Sequence, residues 1–295
     1  MAESPLSNGD HFFEADGVRF HYLVRGNGPL VIVQSVGWGM PGAFIWNDMG
    51  PHLEEKNTTI YFEPRGNGES SRPADSATMT AKNMAEDLEH LRKHLGLESL
   101  PVLLGGSHAG AISLRYAERY PSRVAKLVLA STQIMDGPPN TNTQDWIKKR
   151  QDDPAYATAV AKLLEIFGGA APQTDEEFGK SMDILLPWYF SNTSKAEIVR
   201  QALRGTLPSI YAFQTNINDA KPENRLPHVS EAGNIEAKTL ILLGDEDPMC
   251  SKAAAQAIGA GIRNSKLVIV PSAGHFSWIE NPTVFWNEFN AFVNA

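Results

Sequence analysis

The sequence predicts an α/β protein with a mostly parallel central sheet, helices on both faces of the sheet and a helical insertion. Short apolar runs alternate with segments of helical periodicity in the first part of the chain, which is typical of βαβ crossovers. The alternation stops in a long helix-rich stretch and resumes near the C-terminus. We therefore expect one α/β core, residues 1–133 and 237–295, interrupted by an insertion at residues 134–236.

The first elements are predicted to be strands. Asp16-Gly17 separates two β-prone runs, and this dipeptide favours a two-residue hairpin turn. Residues 29–35, "PLVIVQS", form a nearly continuous apolar run of the kind found in strands buried on both faces. Residues 58–64 predict another strand, and the glycine-rich segment after it, 65–73, predicts a loop.

Helices and strands then alternate. Helical spacing of apolar residues predicts helices over 78–96 and 109–121, the first of them ending at Gly96. Further strands are expected at the apolar runs 100–106 and 124–132, and strand character resumes in the segments 238–248 and 266–275. A helix over 282–294 closes the chain.

Composition excludes several classes of protein. The chain has 295 residues, with 42% hydrophobic and 20% charged residues, as expected for a globular protein with a core. A formal net charge of −8 argues against binding nucleic acid or an anionic membrane surface. Cys250 is the one cysteine, which excludes an internal disulfide and a cysteine-based metal cluster. No secretory signal or membrane span is recognisable, so we expect a cytoplasmic protein. We also expect a monomer or homodimer without a cofactor or metal.

The stretch "LLGGSHAG", residues 103–110, follows a predicted buried strand and precedes a predicted helix. A serine on such a turn sits in a strained backbone conformation that requires small neighbours two residues away on either side. Gly105 and Ala109 satisfy that requirement for Ser107. A phosphate-binding loop is one competing interpretation, but the Gly-Lys-Ser/Thr and Gly-x-Gly-x-x-Gly patterns are absent from the stretch. On this motif alone, a purely structural turn stays as the other alternative.

A serine nucleophile needs a base and an orienting acid. Asp247 follows a predicted strand in "LLGDEDP", with Asp245 as a rival, and His275 follows the last predicted strand in "VPSAGH". Ser107, Asp247 and His275 occur in the chain order expected for a catalytic triad at the carboxyl ends of parallel strands.

Together these motifs resemble the α/β-hydrolase superfamily, in particular its proline-iminopeptidase-like branch, which also includes esterases, lactonases and C–C-bond hydrolases. The segment "FEPRGNGESSRP", residues 62–73, resembles the loop after the fourth strand of the family, and "SAGHFSWIENP" resembles its histidine loop. The resemblance implies that residues 134–236 form a cap over the active site and that the substrate is a small molecule.

The resemblance also implies an oxyanion hole. The backbone N–H of His108, directly after the nucleophile, is one expected donor. The loop after the strand at 29–35 departs from the family pattern because Gln34-Ser35-Val36 replaces the usual His-Gly segment. We assign the second donor to Val36 N–H, with Gly37 N–H as the alternative. The His108 side chain is expected to line the pocket or the helix surface.

The sequence leaves several substrate classes as alternatives. Apolar and aromatic residues are expected to line the pocket: Trp38, Trp188, Tyr189, Phe213 and Phe276. They favour a hydrophobic ester or lactone. An iminopeptidase would use cap carboxylates such as Glu165 or Asp183, and C–C-bond hydrolysis is a further alternative. A non-hydrolytic enzyme or a small-molecule-binding protein on the same scaffold is the alternative from a different class.

Overall fold

The computed structural model describes residues 4–138 and 142–295. The strands are β1 (Gly9–Ala15), β2 (Val18–Gly26), β3 (Leu30–Gln34), β4 (Thr58–Glu63), β5 (Leu100–Gly106), β6 (Val124–Ala130), β7 (Lys238–Gly244) and β8 (Ser265–Val270). Within these ranges they form one eight-stranded sheet in the order β1-β2-β4-β3-β5-β6-β7-β8. Only β2 runs antiparallel to its neighbours in the described sheet, and the remaining pairs are parallel. The predicted mostly parallel sheet is confirmed.

The helices outside the insertion are α1 (Ala43–Asp48), α2 (Gly50–Leu53), α3 (Ala81–His94), α4 (Ser107–Arg119), α11 (Lys252–Gly261), α12 (Ser277–Glu280) and α13 (Pro282–Val293). Between β6 and β7 lie α5 (Asn142–Arg150), α6 (Ala157–Phe167), α7 (Asp175–Leu185), α8 (Ala196–Ala202), α9 (Gln214–Asp219) and α10 (His228–Glu231). The described part of this insertion contains no strand. No helix among the described residues is long and apolar enough to cross a bilayer.

Local sequence signals explain several element boundaries. Asp16 and Gly17 both have positive φ, 51° and 71°, as the predicted hairpin turn requires. Helix α3 begins after Thr80, whose hydroxyl accepts a hydrogen bond from Asn83 N–H. Helix α4 begins at Ser107, two residues before the predicted start at residue 109. The prediction began too late because the glycine-rich turn shows no apolar periodicity.

Strand order places a ligand site at one end of the sheet. From β3 the chain continues to β4 on one side, and β5 then pairs with β3 on the other side. The carboxyl ends of β3 and β5 therefore flank the point where the strand order reverses, which is where open α/β sheets bind ligands. Val36 and Ser107 follow those two strands.

The sheet is buried on both faces. The consecutive residues Leu103 and Leu104 of β5 belong to two different hydrophobic clusters, one on each side of the sheet. Successive side chains in a strand point to opposite faces, so both faces of β5 are covered by apolar side chains. This explains why the strand appears in the sequence as a continuous apolar run.

A buried arginine side chain connects the insertion to the core. Arg150, at the end of α5, is 3% exposed and its guanidinium lies over the rings of Trp146 and Tyr156. It donates hydrogen bonds to the backbone carbonyls of Trp188, at 2.5 Å, and Glu246, at 3.5 Å. Desolvation lowers the Arg150 pKa. Since Glu246 precedes Asp247, this contact joins the insertion to the loop that contains Asp247.

Candidate active site

Ser107 lies at the junction of β5 and α4 with a φ of 53°, a strained value for a residue other than glycine. The turn is tight: a Cβ at Gly105 would lie 2.5 Å from Ala109 O and 2.4 Å from Ser113 Oγ. Only glycine fits at that position. The backbone therefore has the strained geometry that the sequence predicts for a nucleophile turn.

Asp247 and His275 form a buried pair on the loops after β7 and β8. His275 Nδ1 lies 2.9 Å from Asp247 Oδ2 and 3.1 Å from Oδ1. Oδ1 also accepts hydrogen bonds from the N–H groups of Met249, at 2.8 Å, and Cys250, at 3.0 Å. The carboxylate is thus oriented toward the imidazole by its own loop. The rival Asp245 is exposed and accepts a hydrogen bond from Ala273 N–H.

Ser107 and His275 line the same cavity. Across the described residues, the Ser107 hydroxyl makes no hydrogen bond to the His275 imidazole. Catalytic hydrogen bonds are often long without substrate and shorten in the complex. The arrangement places an acid–histidine pair and a strained serine around one space.

The insertion makes hydrogen bonds to the loop that contains His275. His275 N–H donates to Tyr189 O at 2.7 Å. The Glu280 carboxylate accepts hydrogen bonds from the N–H groups of Gly274, Ser191 and Asn192, at 2.6, 3.1 and 2.7 Å. Burial raises the Glu280 pKa despite those bonds. Glu280 was not a sequence-derived candidate, because its partners are backbone groups from a distant segment.

Two backbone N–H groups in the described structure are available as oxyanion donors. His108 is in the first turn of α4, where N–H groups have no partner within the helix. Val36 N–H, after β3, makes no hydrogen bond to another described residue, and Val36 lines the cavity. Both expected donors thus remain candidates.

The structure corrects two expectations about this loop. Gly37 N–H does not face the cavity as a free donor, because it donates to His108 Nδ1 at 3.2 Å. The His108 side chain lines neither the pocket nor the helix surface. It is 1% exposed, and its Nε2 lies 3.1 Å from Asp219 Oδ2. Asp219 was missed because it lies far along the chain, inside the insertion.

The cavity has a volume of about 500 Å³ and lies between the sheet and the insertion. Of the expected pocket residues, Trp38, Tyr189, Phe213 and Phe276 line it. Trp188 does not, which corrects that expectation. Its indole is fully buried behind the cavity wall, where Nε1 donates to Met249 Sδ at 3.3 Å. A buried indole N–H needs such a partner.

Asp247, Cys250 and His275 hold ligand-type atoms within 4.8 Å of one another. Metal binding would require a thiolate, but burial and the neighbouring Asp247 raise the Cys250 pKa well above its usual value. The thiol instead donates a hydrogen bond to Ser131 O at 3.0 Å, and His275 Nδ1 is already engaged with Asp247. These contacts fit a hydrogen-bonded dyad better than a metal centre.

A serine on a strained strand-to-helix turn at the switch point of a parallel sheet is the arrangement found in α/β hydrolases. The sequence profile of the alpha/beta hydrolase fold matches residues 29–282, and the chain belongs to that family. This confirms the fold class and the superfamily that the motifs indicated, and it makes the protein a hydrolase-type enzyme.

One curated relative supports the proline-iminopeptidase-like branch. The chain is 27% identical over 278 residues to the proline iminopeptidase PfmaB of Pestalotiopsis fici, covering 91% of this chain and 94% of that protein.

Solved structures share the fold. An esterase from Exiguobacterium antarcticum superposes with a TM-score of 0.68 at 20% identity, covering 98% of this chain and 100% of the other. A meta-cleavage product hydrolase, CumD, superposes with a TM-score of 0.72 at 21% identity, covering 97% and 98%. At these identities the likeness concerns the fold.

Proposed function

We propose that the protein hydrolyses neutral, hydrophobic carboxylic esters or lactones through an acyl-enzyme on Ser107. His275 takes the Ser107 proton as the hydroxyl attacks the substrate carbonyl, and Asp247 holds the imidazole in the required tautomer. The N–H groups of His108 and Val36 stabilise the tetrahedral oxyanion. His275 then protonates the leaving alkoxide and activates the water that releases the acid.

The chemistry of the cavity wall carries this proposal. Among the described residues that line it, none is Asp, Glu, Lys or Arg, and His275 is the one titratable nitrogen base. The wall is otherwise built from aliphatic, aromatic, thioether and small polar side chains. A neutral apolar substrate loses little hydration there and gains from burial of its apolar surface.

The same wall argues against an aminopeptidase. A free α-ammonium in an uncharged cavity would lose its hydration without a carboxylate partner. The cap carboxylates considered from sequence lie elsewhere: Glu165 is exposed and pairs with Lys162, and Asp183 is exposed and pairs with Arg200. The Asp175 carboxylate accepts a hydrogen bond from Ile210 N–H.

Residues 134–236 are proposed to act as the cap. Ile166 and Phe167 from α6 and Met182 from α7 line the same cavity as Ser107. Phe167 is 61% exposed while it lines the cavity, which places it at the mouth. An apolar mouth favours entry of a hydrophobic acyl group.

A substrate panel tests the proposal. p-Nitrophenyl esters of increasing acyl length, a γ-lactone with an alkyl chain and proline p-nitroanilide are compared for the wild type and Ser107→Ala. We expect kcat/KM for the medium-chain esters to exceed that for proline p-nitroanilide by ~10³-fold, because the ammonium is not paired in the cavity. A prolyl anilide that is turned over as well as the best ester would overturn the proposal. Tight binding of esters without Ser107-dependent turnover would instead indicate a binding protein.

A further inference from the structure

We propose that His108 and Asp219 are positioning residues that hold the Val36–Gly37 loop so that Val36 N–H faces the oxyanion. The inference rests on the proposed function, since it assigns Val36 N–H to the tetrahedral intermediate. It concerns the side chain of His108, which is distinct from the backbone N–H of the same residue.

The hydrogen bonds fix the protonation of the His108 ring. Gly37 N–H can only donate, so His108 Nδ1, at 3.2 Å, accepts and carries no proton. The ring proton is therefore on Nε2, which donates to Asp219 Oδ2 at 3.1 Å. A carboxylate at that position favours this tautomer because a carboxylate accepts and does not donate.

The bond from Gly37 to the ring constrains the neighbouring peptide. Gly37 N–H belongs to the peptide group that follows the Val36 Cα, and Val36 N–H belongs to the one that precedes it. Holding the first group against a fixed ring restricts rotation about the backbone bonds of Val36, and the proposed role of Val36 N–H depends on this restriction. Ser35 O, in the peptide group that contains Val36 N–H, accepts a hydrogen bond from Gln34 Nε2 at 2.8 Å, and Ser35 N–H donates to Phe62 O at 3.0 Å.

Packing makes the contact specific. A Cβ at Gly37 would lie 2.1 Å from Met84 Sδ and 3.1 Å from His108 Cε1, so a larger residue would force both the Met84 side chain and the ring to shift. The ring is itself held, because His108 is 1% exposed and Asp219 is 8% exposed.

Asp219 connects the hydrogen-bonded His108 ring to two helices, α9 and α3. It is the last residue of α9 in the insertion, and its carboxylate also accepts a hydrogen bond from Ala81 N–H, at 3.0 Å, in the first turn of α3. The insertion therefore contributes to the site from behind the oxyanion loop as well as through the cavity wall.

Two substitutions of His108 separate its role in positioning the Val36–Gly37 loop from its role in binding Asp219 of the insertion. In His108→Gln, the amide nitrogen takes the place of Nε2 and keeps the bond to Asp219, but the acceptor for Gly37 is lost. In His108→Asn, the amide oxygen takes the place of Nδ1 and keeps the acceptor, but the bond to Asp219 is lost. We expect His108→Gln to lower kcat about 30-fold or more with little change in KM. His108→Asn is expected to keep at least about ten times the kcat of His108→Gln.

Binding of a transition-state analogue is a further test. It would not change selectively if His108 only stabilised the contact between the insertion and the core. A trifluoromethyl ketone forms a tetrahedral oxyanion adduct on a serine, whereas the corresponding alcohol does not. We expect His108→Gln to weaken inhibition by the ketone in parallel with its loss of kcat/KM, and to leave binding of the alcohol unchanged. ¹⁵N NMR of the wild type should show a His108 ring protonated at Nε2 only.

The outcomes distinguish a failure of the proposed function from a failure of the positioning role. Wild-type protein without Ser107-dependent turnover would contradict the proposed function. Wild-type turnover that His108→Gln retains in full, or a larger loss in His108→Asn than in His108→Gln, would overturn the positioning role. A His108 ring protonated at Nδ1 would overturn it as well.

Discussion

Asp247 holds His275 with both carboxylate oxygens, at 2.9 and 3.1 Å from Nδ1. Its Oδ1 is in turn held by N–H groups of its own loop. The pair is buried, with Asp247 3% and His275 5% exposed, so the imidazole is held with its other nitrogen available to the cavity. The proposed mechanism depends on this orientation.

Replacing the acid tests the orientation. Asp247→Asn is expected to lower kcat by about 10³–10⁴-fold, because the amide no longer stabilises the tautomer and the imidazolium that the mechanism needs. Asp245→Asn is the matched control, since Asp245 is exposed on the same loop and its Oδ1 accepts only a backbone N–H among its described contacts. Steady-state kinetics with a p-nitrophenyl ester measures both. Equal losses in the two variants would contradict the assignment.

The nucleophile turn makes a prediction about stability. Gly105→Ala is expected to lower the free energy of unfolding by about 1–3 kcal/mol, because the new Cβ would overlap the Ala109 carbonyl. At Gly106 the nearest atom to an added Cβ is Ala130 O, at 3.4 Å, so Gly106→Ala is the control and should change the unfolding free energy much less. Urea unfolding measures the difference. A destabilisation of Gly106→Ala as large as that of Gly105→Ala would count against the close approach at Gly105.

Asp48 makes a prediction about pH. Burial raises the Asp48 pKa from 3.8 to about 6, although Trp278 Nε1 donates to its carboxylate. The folded protein then binds a proton that the unfolded chain has lost, so this carboxyl lowers the free energy of unfolding as pH rises from about 4 to about 6. Asp48→Asn, which keeps an acceptor for Trp278, should raise that free energy by about 1–2 kcal/mol at pH 7 and by much less at pH 4.

Asp152→Asn is the control for the Asp48 experiment, because Asp152 is exposed and its substitution changes the net charge equally. Urea unfolding of both variants at pH 4 and pH 7 gives the comparison. A gain for Asp48→Asn that is the same at both pH values would show that desolvation of the carboxylate is not its cause.

The features that the sequence predicts well are those with a local cause. Asp16-Gly17 needs positive φ for its hairpin, and Gly105 has no side chain because a Cβ there would overlap the Ala109 carbonyl. Both signals lie within a few residues of the structure they produce. The buried strands are visible for the same reason, since a continuous apolar run follows from burial on both faces.

What sequence analysis missed depends on contacts between distant segments. Trp188 is placed behind the cavity by Met249, and Gly37 N–H is engaged by His108, whose ring is held by Asp219. Periodicity and motif spacing contain no information about such pairs. The absence of charged residues from the described cavity wall, other than His275, likewise emerges only when the insertion is placed over the sheet.

Covalent labelling tests directly whether Ser107 is the nucleophile. The wild type, Ser107→Ala and the control Ser181→Ala, whose serine also lines the cavity, are incubated with a fluorophosphonate and examined by intact-protein and peptide mass spectrometry. We predict one adduct on Ser107 in the wild type and in Ser181→Ala, loss of ester hydrolysis in proportion to labelling, and no adduct in Ser107→Ala. Ester hydrolysis that persists in Ser107→Ala, or an adduct on another residue, would contradict this prediction.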